Sequence, residues 1–300
     1  MWILLALLSA LFYASSAMVT KFSVSKVVRD QSGIVAVHSS TAIIFIALIW
    51  LLRRMPTLSS HRDILLATVS GFVVCAASTF YFKAFNIEDA SVITLLTQAI
   101  VPITLIFGFV VLRDKAGPLQ LLAAAIILTG VVLSAWSRKG FHLHSTKVIP
   151  IMLAATVLTS TSLIIAKSVV SHNNIVAYVF YETLSYAVFG VLYTVFHPKI
   201  RKSFMKNMKP FHPRMIIVIG LSEVFYTLAI MSQFKAFTYT NAGLVISVGA
   251  SEVFLAIILG VVLTKLLPHM INEKIDKKTL GRKFVAGCLI VSGIVMLNFV

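Results

Sequence analysis

The chain has 300 residues, of which 59% are hydrophobic and only 12% are charged, and its mean hydropathy is +0.96. A soluble domain carries about 25% charged residues, so this composition excludes an ordinary soluble protein and predicts an integral membrane protein. The formal net charge of +16 lies mostly between apolar runs and lacks the pattern of a nucleic-acid surface. We therefore expect membrane lipids as partners and no nucleic acid.

The apolar runs divide the chain into membrane spans. About 20 mostly apolar residues cross a hydrocarbon core as a helix, which satisfies its own backbone hydrogen bonds. The sequence predicts ten such spans, and hence an all-α fold with ten transmembrane helices. The predicted spans are residues 2–22, 33–52, 63–85, 89–112, 117–137, 148–170, 174–196, 214–237, 240–266 and 280–299.

The chain contains one pattern twice. Phe82-Lys83-Ala84-Phe85 returns as Phe234-Lys235-Ala236-Phe237, the run 125–133 resembles 288–296, and Ser15-Ser16 and Lys21 align with Thr161-Ser162 and Lys167. Matches that keep a common order indicate an internal duplication. Each copy holds five spans, an odd number, so the second copy enters the membrane from the opposite side. We therefore expect two inverted five-helix repeats, residues 1–140 and 147–300.

Three carboxylates, Glu182, Glu223 and Glu252, lie well inside spans seven, eight and nine. A carboxylate near the bilayer centre costs about 3 kcal/mol, so such residues usually face the bundle interior or a water-filled cavity. We expect them to bind a substrate amine or to exchange protons coupled to transport. The alternative, strongest for Glu182, is a protonated structural group that is hydrogen-bonded to Ser, Tyr or backbone.

Helical spacing places polar side chains on the same helix faces as these carboxylates. The predicted stripes are Glu223, Tyr226, Ile230 and Gln233 in span eight, Asn241, Val245, Val248 and Glu252 with Ser251 beside them in span nine, and Tyr178, Glu182 and Ser185 in span seven. Three polar stripes that face a common centre would form a binding site.

The first repeat supplies hydroxyl and amide groups. We expect Ser16, Tyr81 and Gln98 to contribute to the same site, although scattered Ser and Thr more often join helices. Pro102 lacks the N–H that would bond the carbonyl of Gln98, so the sequence predicts a kink and a free acceptor at mid-membrane depth. His38 is predicted to be a hydrogen-bonded interior group and not a proton relay.

Two lysines, Lys83 and Lys235, occupy equivalent places at opposite membrane faces, as do Lys21 and Lys167. Snorkelling of the amines to the headgroups is the simpler interpretation. The alternative is a pair of gate charges for an anionic substrate, with Lys83 and Lys235 at the two mouths.

The pattern resembles the EamA family of the drug/metabolite transporter superfamily. The residues that carry this resemblance are the turn from Ala84 to Ala90, Pro102, Leu112-Arg113-Asp114, the run from Gln120 to Ala124, and Thr129-Gly130-Val131. The resemblance implies a central cavity lined by spans one, three, four, six, eight and nine. It also implies both termini in the cytoplasm, whereas the distribution of Lys and Arg places them outside.

The function predicted from these patterns is transport. We expect a secondary transporter or facilitator in the plasma or inner membrane, a monomer or homodimer, that moves a small metabolite by alternating access. An amino acid, a nucleotide sugar and a drug are all candidate substrates, and protons are a candidate coupling ion. The alternative is an intramembrane lipid or prenyl transferase, but that chemistry needs clustered carboxylates for Mg²⁺, and no two intramembrane acids lie within one helical turn. We expect no enzyme activity, cofactor or metal.

Overall fold

The computed structural model describes residues 1–26, 34–53, 56–85, 87, 93, 96–135, 146–208, 213–266 and 277–298. Every regular element in these ranges is helical. The helices are α1 (Trp2–Lys26), α2 (Ile34–Arg53), α3 (His61–Phe85), α4 (Ile100–Phe107), α5 (Pro118–Ala135), α6 (Val148–Val170), α7 (Ile175–Phe196), α8 (Pro198–Met208), α9 (Pro213–Phe237), α10 (Ala242–Gly249), α11 (Glu252–Leu266) and α12 (Lys277–Asn298). A π-helical segment, Gly108–Leu112, continues α4.

Six helical segments among the described residues are long and apolar enough to cross a membrane. They are Trp2–Val19, His61–Ala84, Val148–Val170, Ile175–Phe196, Ile217–Phe237 and Ala242–Gly260. Three shorter apolar helices, Ile100–Leu112, Pro118–Leu133 and Phe284–Leu297, coincide with parts of predicted spans four, five and ten. The all-helical membrane fold is therefore confirmed, and the count of ten spans stays a prediction.

Polar residues mark where the helices begin. Asn174 precedes α7 in an extended conformation, and its side-chain oxygen accepts the N–H of Val176 at 2.8 Å. Ser60 precedes α3, and its hydroxyl accepts the N–H of Asp63 at 3.1 Å. Such caps satisfy backbone donors that have no partner in the first helical turn, and they define where these two helices begin.

The helix contacts come in equivalent pairs. α1 packs along α9, and α6, the counterpart of α1 in the predicted repeat, packs along α3, the predicted counterpart of α9. α4 contacts α6 in the same way that α11 contacts α1. The contacts between α5 and α12, and between α2 and α7, each join two equivalent helices.

The seam between α5 and α12 is reciprocal at single residues. A Cβ atom added at Gly130 would lie 2.9 Å from the carbonyl oxygen of Ala286 and 2.8 Å from Ile290 Cγ1. A Cβ added at Gly293 would lie 2.9 Å from the carbonyl oxygen of Ala123 and 2.6 Å from Cγ1 of the corresponding isoleucine, Ile127. Each glycine therefore lets the opposite backbone approach closely, as small residues do in membrane helix pairs.

This reciprocity predicts equal effects of substitution. We expect Gly130→Ala and Gly293→Ala each to lower the free energy of unfolding by about 1–3 kcal/mol, because the added methyl meets a backbone oxygen that cannot rotate away. Thermal unfolding of the purified protein measures the loss. Gly281→Ala is the control, since nothing lies within 4 Å of a Cβ there; a loss at only one of the two seam glycines would contradict the reciprocity.

Predicted spans four and nine are both interrupted, and the interruptions match bond for bond. In span four the backbone N–H of Ala99 donates to the carbonyl oxygen of Leu96, and that of Val101 donates to Gln98. In span nine the backbone N–H of Ser251 donates to the carbonyl oxygen of Val248, and that of Val253 donates to Ala250. The offset between these bonds is the one that takes Phe82 to Phe234. The turns are tighter than an α-helix, a geometry that often marks a hinge.

Span four is interrupted close to Pro102, where the sequence predicts a kink, but the predicted free acceptor is wrong. The carbonyl of Gln98 accepts the N–H of Val101 at 3.1 Å, because the turn tightens to an i to i+3 bond where proline removes the i to i+4 donor. Span nine has Phe254 at the place of Pro102, so its interruption does not require proline. Its division into α10 and α11 was missed from the sequence.

Contacts between connections join segments that ten crossings would place on one membrane face. The Asn173 amide donates to Asp63 at 3.0 Å, and its carbonyl oxygen accepts the Ser59 hydroxyl at 2.6 Å. Lys167, predicted to snorkel, instead donates to the carbonyl oxygens of Phe237 and Thr240 at the end of α9. A half-buried amine that donates to two carbonyl oxygens has hydrogen-bond partners and is not free at a mouth. Lys21 lies in α1, and its side chain is outside the described part.

Candidate functional site

The interruption of span nine places a carboxylate at the start of a helix inside the apolar bundle. Glu252 is the first residue of α11 and is half-buried. Among the residues that the structure describes, its carboxylate has no hydrogen-bond partner. Ser251, directly before it, is 2% exposed, and its hydroxyl also has no hydrogen-bond partner in the described part. Unpartnered polar groups in such a place are costly, so this pair is the strongest candidate for contact with a ligand.

Tyr13 and Tyr81 from other helices lie near this region and Tyr226 contacts Tyr13, and we call Tyr13, Tyr81 and Tyr226 the tyrosine cluster. Tyr13 and Tyr81 lie within electrostatic range of Glu252. The rings of Tyr13 and Tyr226 meet edge to face, with centroids 5.7 Å apart. Tyr13 and Tyr81 are half-buried and Tyr226 is 40% exposed, so the cluster keeps accessible surface. Helices α1, α3, α9 and α11 thus contribute to one polar region.

Glu223 does not face this region as the stripe predicted. Its Oε1 lies 2.5 Å from His38 Nδ1 and accepts the Thr41 hydroxyl at 3.3 Å, so the carboxylate points to α2. The His38 ring stacks on Phe82 with centroids 5.9 Å apart. The predicted hydrogen bonding of His38 is therefore confirmed, and its partner joins α2 to α9.

Glu182 is the centre of a buried hydroxyl network. Its Oε1 accepts Ser70 at 2.7 Å, Tyr178 at 3.0 Å and Ser162 at 3.3 Å, which come from α3, α7 and α6. Ser70 and Ser162 also bond each other at 2.7 Å. Glu182 is 8% exposed, and its carboxylate joins three helices.

The serine pair beside Glu182 has an equivalent in the other half of the molecule. Ser16 bonds Ser222 at 3.1 Å and donates to its carbonyl oxygen at 3.0 Å. Ser16 aligns with Ser162, and Ser222 lies at the Phe82-to-Phe234 offset from Ser70. Ser16 therefore joins α1 to α9. The repeat of Ser70 at Ser222 is visible in the sequence, but the two serine pairs were not predicted from it.

The remaining predicted residues occupy three different places. Gln98 is 4% exposed and lies in the interruption of span four. Asn241 precedes α10, and its amide donates to the carbonyl oxygen of Lys115 at 2.8 Å, which places it on a connection and away from Glu252. Lys83 and Lys235 are exposed, and the Lys235 amine lies 5.4 Å from the centroid of the Tyr239 ring. The stripe of span nine is thus divided by its interruption.

Comparison with known proteins agrees with this architecture. The model of the EamA-like transporter family matches residues 1–136. Over these residues the chain is similar to the EamA-like transporter family. The EamA-like chain also superposes on a solved structure titled "Crystal structure of protein" with a TM-score of 0.72 at 15% sequence identity, which covers 99% of this chain and 96% of the other. That likeness shows the fold alone. No curated relative matches the sequence.

The described part of this EamA-like chain contains no group of three or more His, Cys, Asp or Glu side chains that could hold a metal ion. The candidate site is therefore a carboxylate, a serine hydroxyl and tyrosines. A carboxylate binds an amine or a proton, a hydroxyl donates or accepts a hydrogen bond, and tyrosine faces attract organic cations.

The Glu182 network predicts a contrast between two substitutions. Glu182→Leu should lower the free energy of unfolding by about 1–3 kcal/mol, because buried hydroxyls lose their acceptor. Glu182→Gln keeps an acceptor oxygen and should cost less than about 1 kcal/mol. Thermal unfolding in detergent compares the two, and equal large losses would mean that the negative charge itself, and not the acceptor, holds the three helices.

Proposed function

We propose that this EamA-like chain is a carrier that moves a small organic solute by alternating access. It would do so with ten spans in two inverted five-helix repeats, residues 1–140 and 147–300, in the plasma or inner membrane. The observation that carries the proposal is the half-buried, unpartnered Glu252 carboxylate at an interruption of a membrane helix. Interrupted helices at the interface of two repeats are where transporters of this architecture bind substrate and coupling ions.

The equivalent contacts support the inverted repeat. The matching turns in spans four and nine, the paired serines and the reciprocal glycines of the α5–α12 seam all relate one half to the other. Two halves with the same contacts can exchange conformations around a central site, which would open it to one side at a time. The interruptions at Gln98 and Ser251 supply hinges, because a tight turn lets the two parts of a span change their angle independently.

The chemistry around Glu252 favours a solute that carries an amine. A carboxylate without a partner would gain a charged hydrogen bond from an ammonium group, and Tyr81 and Tyr226 would face its alkyl or aromatic part. An amino acid or a cationic drug fits this site better than a nucleotide sugar, whose phosphates would be repelled. A proton and an ammonium group would compete for Glu252, which would couple solute movement to a pH gradient.

Counterflow in vesicles tests this function. The full chain is reconstituted into liposomes that are preloaded with amino acids, amine drugs or nucleotide sugars, and uptake of the labelled solute is measured with and without an imposed pH gradient. Saturable counterflow of an amine-bearing solute that changes with the gradient supports the proposal. Turnover of a phosphate ester with no counterflow would instead favour a transferase, for which neither the site nor the comparisons give support.

A further inference from the structure

The connection between α7 and α9, which lies between predicted spans seven and eight, contains a basic helix. This helix, α8 (Pro198–Met208), has no acidic residue, and Lys199, Arg201, Lys202 and Lys206 are all exposed. Ser203 is buried, and Ile200 and Phe204 are half-buried. One face of α8 therefore packs on the protein while the cations face outward, the pattern of a helix that lies in the interface plane of a membrane.

The outward face of α8 also holds apolar side chains. Pro198, Arg201, Lys202 and Met205 recur at helical spacing on one face and line an open groove of about 570 Å³. Met205 is 55% exposed, and Phe196, at the end of α7, is 78% exposed. A phospholipid has the complementary arrangement, because its phosphate would pair with the two cations and its acyl chains would contact the apolar groove at the end of the membrane-crossing helix.

The inner face of α8 connects this groove to the centre of the molecule. Phe204 packs against Val37 of α2 and Ile219 of α9. Val37 is next to His38, and Ile219 lies one helical turn before Glu223. Phe204 therefore packs on residues that adjoin the contact between His38 and Glu223. A ligand that holds α8 in place would therefore also hold α2 against α9.

We propose that α8 binds an anionic phospholipid of the surrounding bilayer. Arg201 and Lys202 hold its phosphate, and Pro198 and Met205 contact the upper part of its acyl chains. The charge of α8 favours an anionic lipid, since the helix has four exposed cations and no acid. The bound lipid stabilises the packing of Phe204 between α2 and α9. This inference does not depend on which solute the protein carries.

Lipid binding is measured on the full chain in detergent by titration with phosphatidylglycerol or phosphatidylcholine and native mass spectrometry of the retained lipid. We expect the wild type to prefer phosphatidylglycerol. Arg201→Gln with Lys202→Gln should lower that affinity by roughly 25-fold, because each basic residue near an anionic membrane surface contributes about fivefold. Arg201→Lys with Lys202→Arg should keep most of the affinity.

The control is Arg62→Gln with Lys115→Gln, which removes two exposed cations from other connections and should leave the affinity within about twofold of the wild type. Thermal unfolding of both double variants in phosphatidylcholine checks that they fold. Equal affinity in the α8 double variant and the wild type would overturn the proposal, as would an equal loss in the control. Competition by inorganic phosphate at lipid-like concentration would also overturn it, because the groove would then bind a free anion.

Discussion

Glu252→Gln is expected to lower counterflow of an amine-bearing solute by about ten- to a hundredfold and to remove its response to a pH gradient. A hydrogen bond to a charged group contributes about 1.5–3 kcal/mol, and the amide that replaces the carboxylate neither carries charge nor binds a proton. Glu252→Asp keeps the charge on a shorter side chain, so we expect partial activity with the pH response retained. Initial rates in liposomes with imposed gradients measure both effects.

Glu182→Gln is the matched control for this experiment. Its carboxylate is more buried than that of Glu252 and already has three hydroxyl partners, so its replacement should change the counterflow rate less than about threefold, in keeping with a cost below ~1 kcal/mol. Unchanged transport and pH response in Glu252→Gln would reject Glu252 as the site of solute and proton. Loss of transport in both variants, with normal unfolding temperatures, would assign the coupling to Glu182 as well.

Gly71→Ala is expected to have the largest effect on stability. A Cβ at this position would overlap the carbonyl oxygen of Glu182 and would lie 2.7 Å from Ser185 Cβ and 2.9 Å from the backbone nitrogen of Tyr186. Backbone atoms cannot rotate away, so α3 and α7 must separate, and the Ser185 hydroxyl then loses its 2.5 Å bond to Thr68 O. We expect the free energy of unfolding to fall by about 3 kcal/mol or more.

Gly220→Ala, at a helical glycine in α9, is expected to raise stability and so to have the opposite effect from Gly71→Ala. Nothing lies within 4 Å of a Cβ there, and alanine has a higher helix propensity than glycine by about 1 kcal/mol. We therefore expect Gly220→Ala to raise the unfolding temperature and Gly71→Ala to lower it or to prevent purification. Yield and unfolding temperature of the two variants, expressed side by side, decide this, and similar values would mean that α3 and α7 do not pack as closely as described.

The positions of the long helices could be predicted from the sequence because burial in lipid requires continuous apolar runs. Predicted span six, residues 148–170, coincides with α6, and span seven differs from α7 by one residue at its start. The two interruptions lie at one distance from the repeated motifs Phe82–Phe85 and Phe234–Phe237, although the sequence alone predicted only the first of them. Pro102 indicated one interruption through its missing N–H.

The direction of the polar side chains could not be predicted, because helical spacing gives a shared face but not the helix that this face meets. Glu223 and Tyr226 lie on one stripe, yet Glu223 reaches across to His38 while Tyr226 meets Tyr13. No proline or charged residue directly precedes the interruption of span nine, and the run of apolar residues continues through it. The sequence therefore contains no signal of a break in this helix. Helix α8 was not predicted, because a high content of charged residues is typical of a connection between spans. Its apolar residues nevertheless recur with helical spacing.

The two predicted repeats differ in one acid. Gly71 occupies the place that Glu223 has in the second half, so α9 meets a histidine through a carboxylate where α3 meets α7 through bare backbone. A carrier with two identical halves would open to either side with equal probability. In the proposed carrier a side-chain hydrogen bond joins the helices of one half and close steric packing joins those of the other, so the empty protein should rest in one orientation.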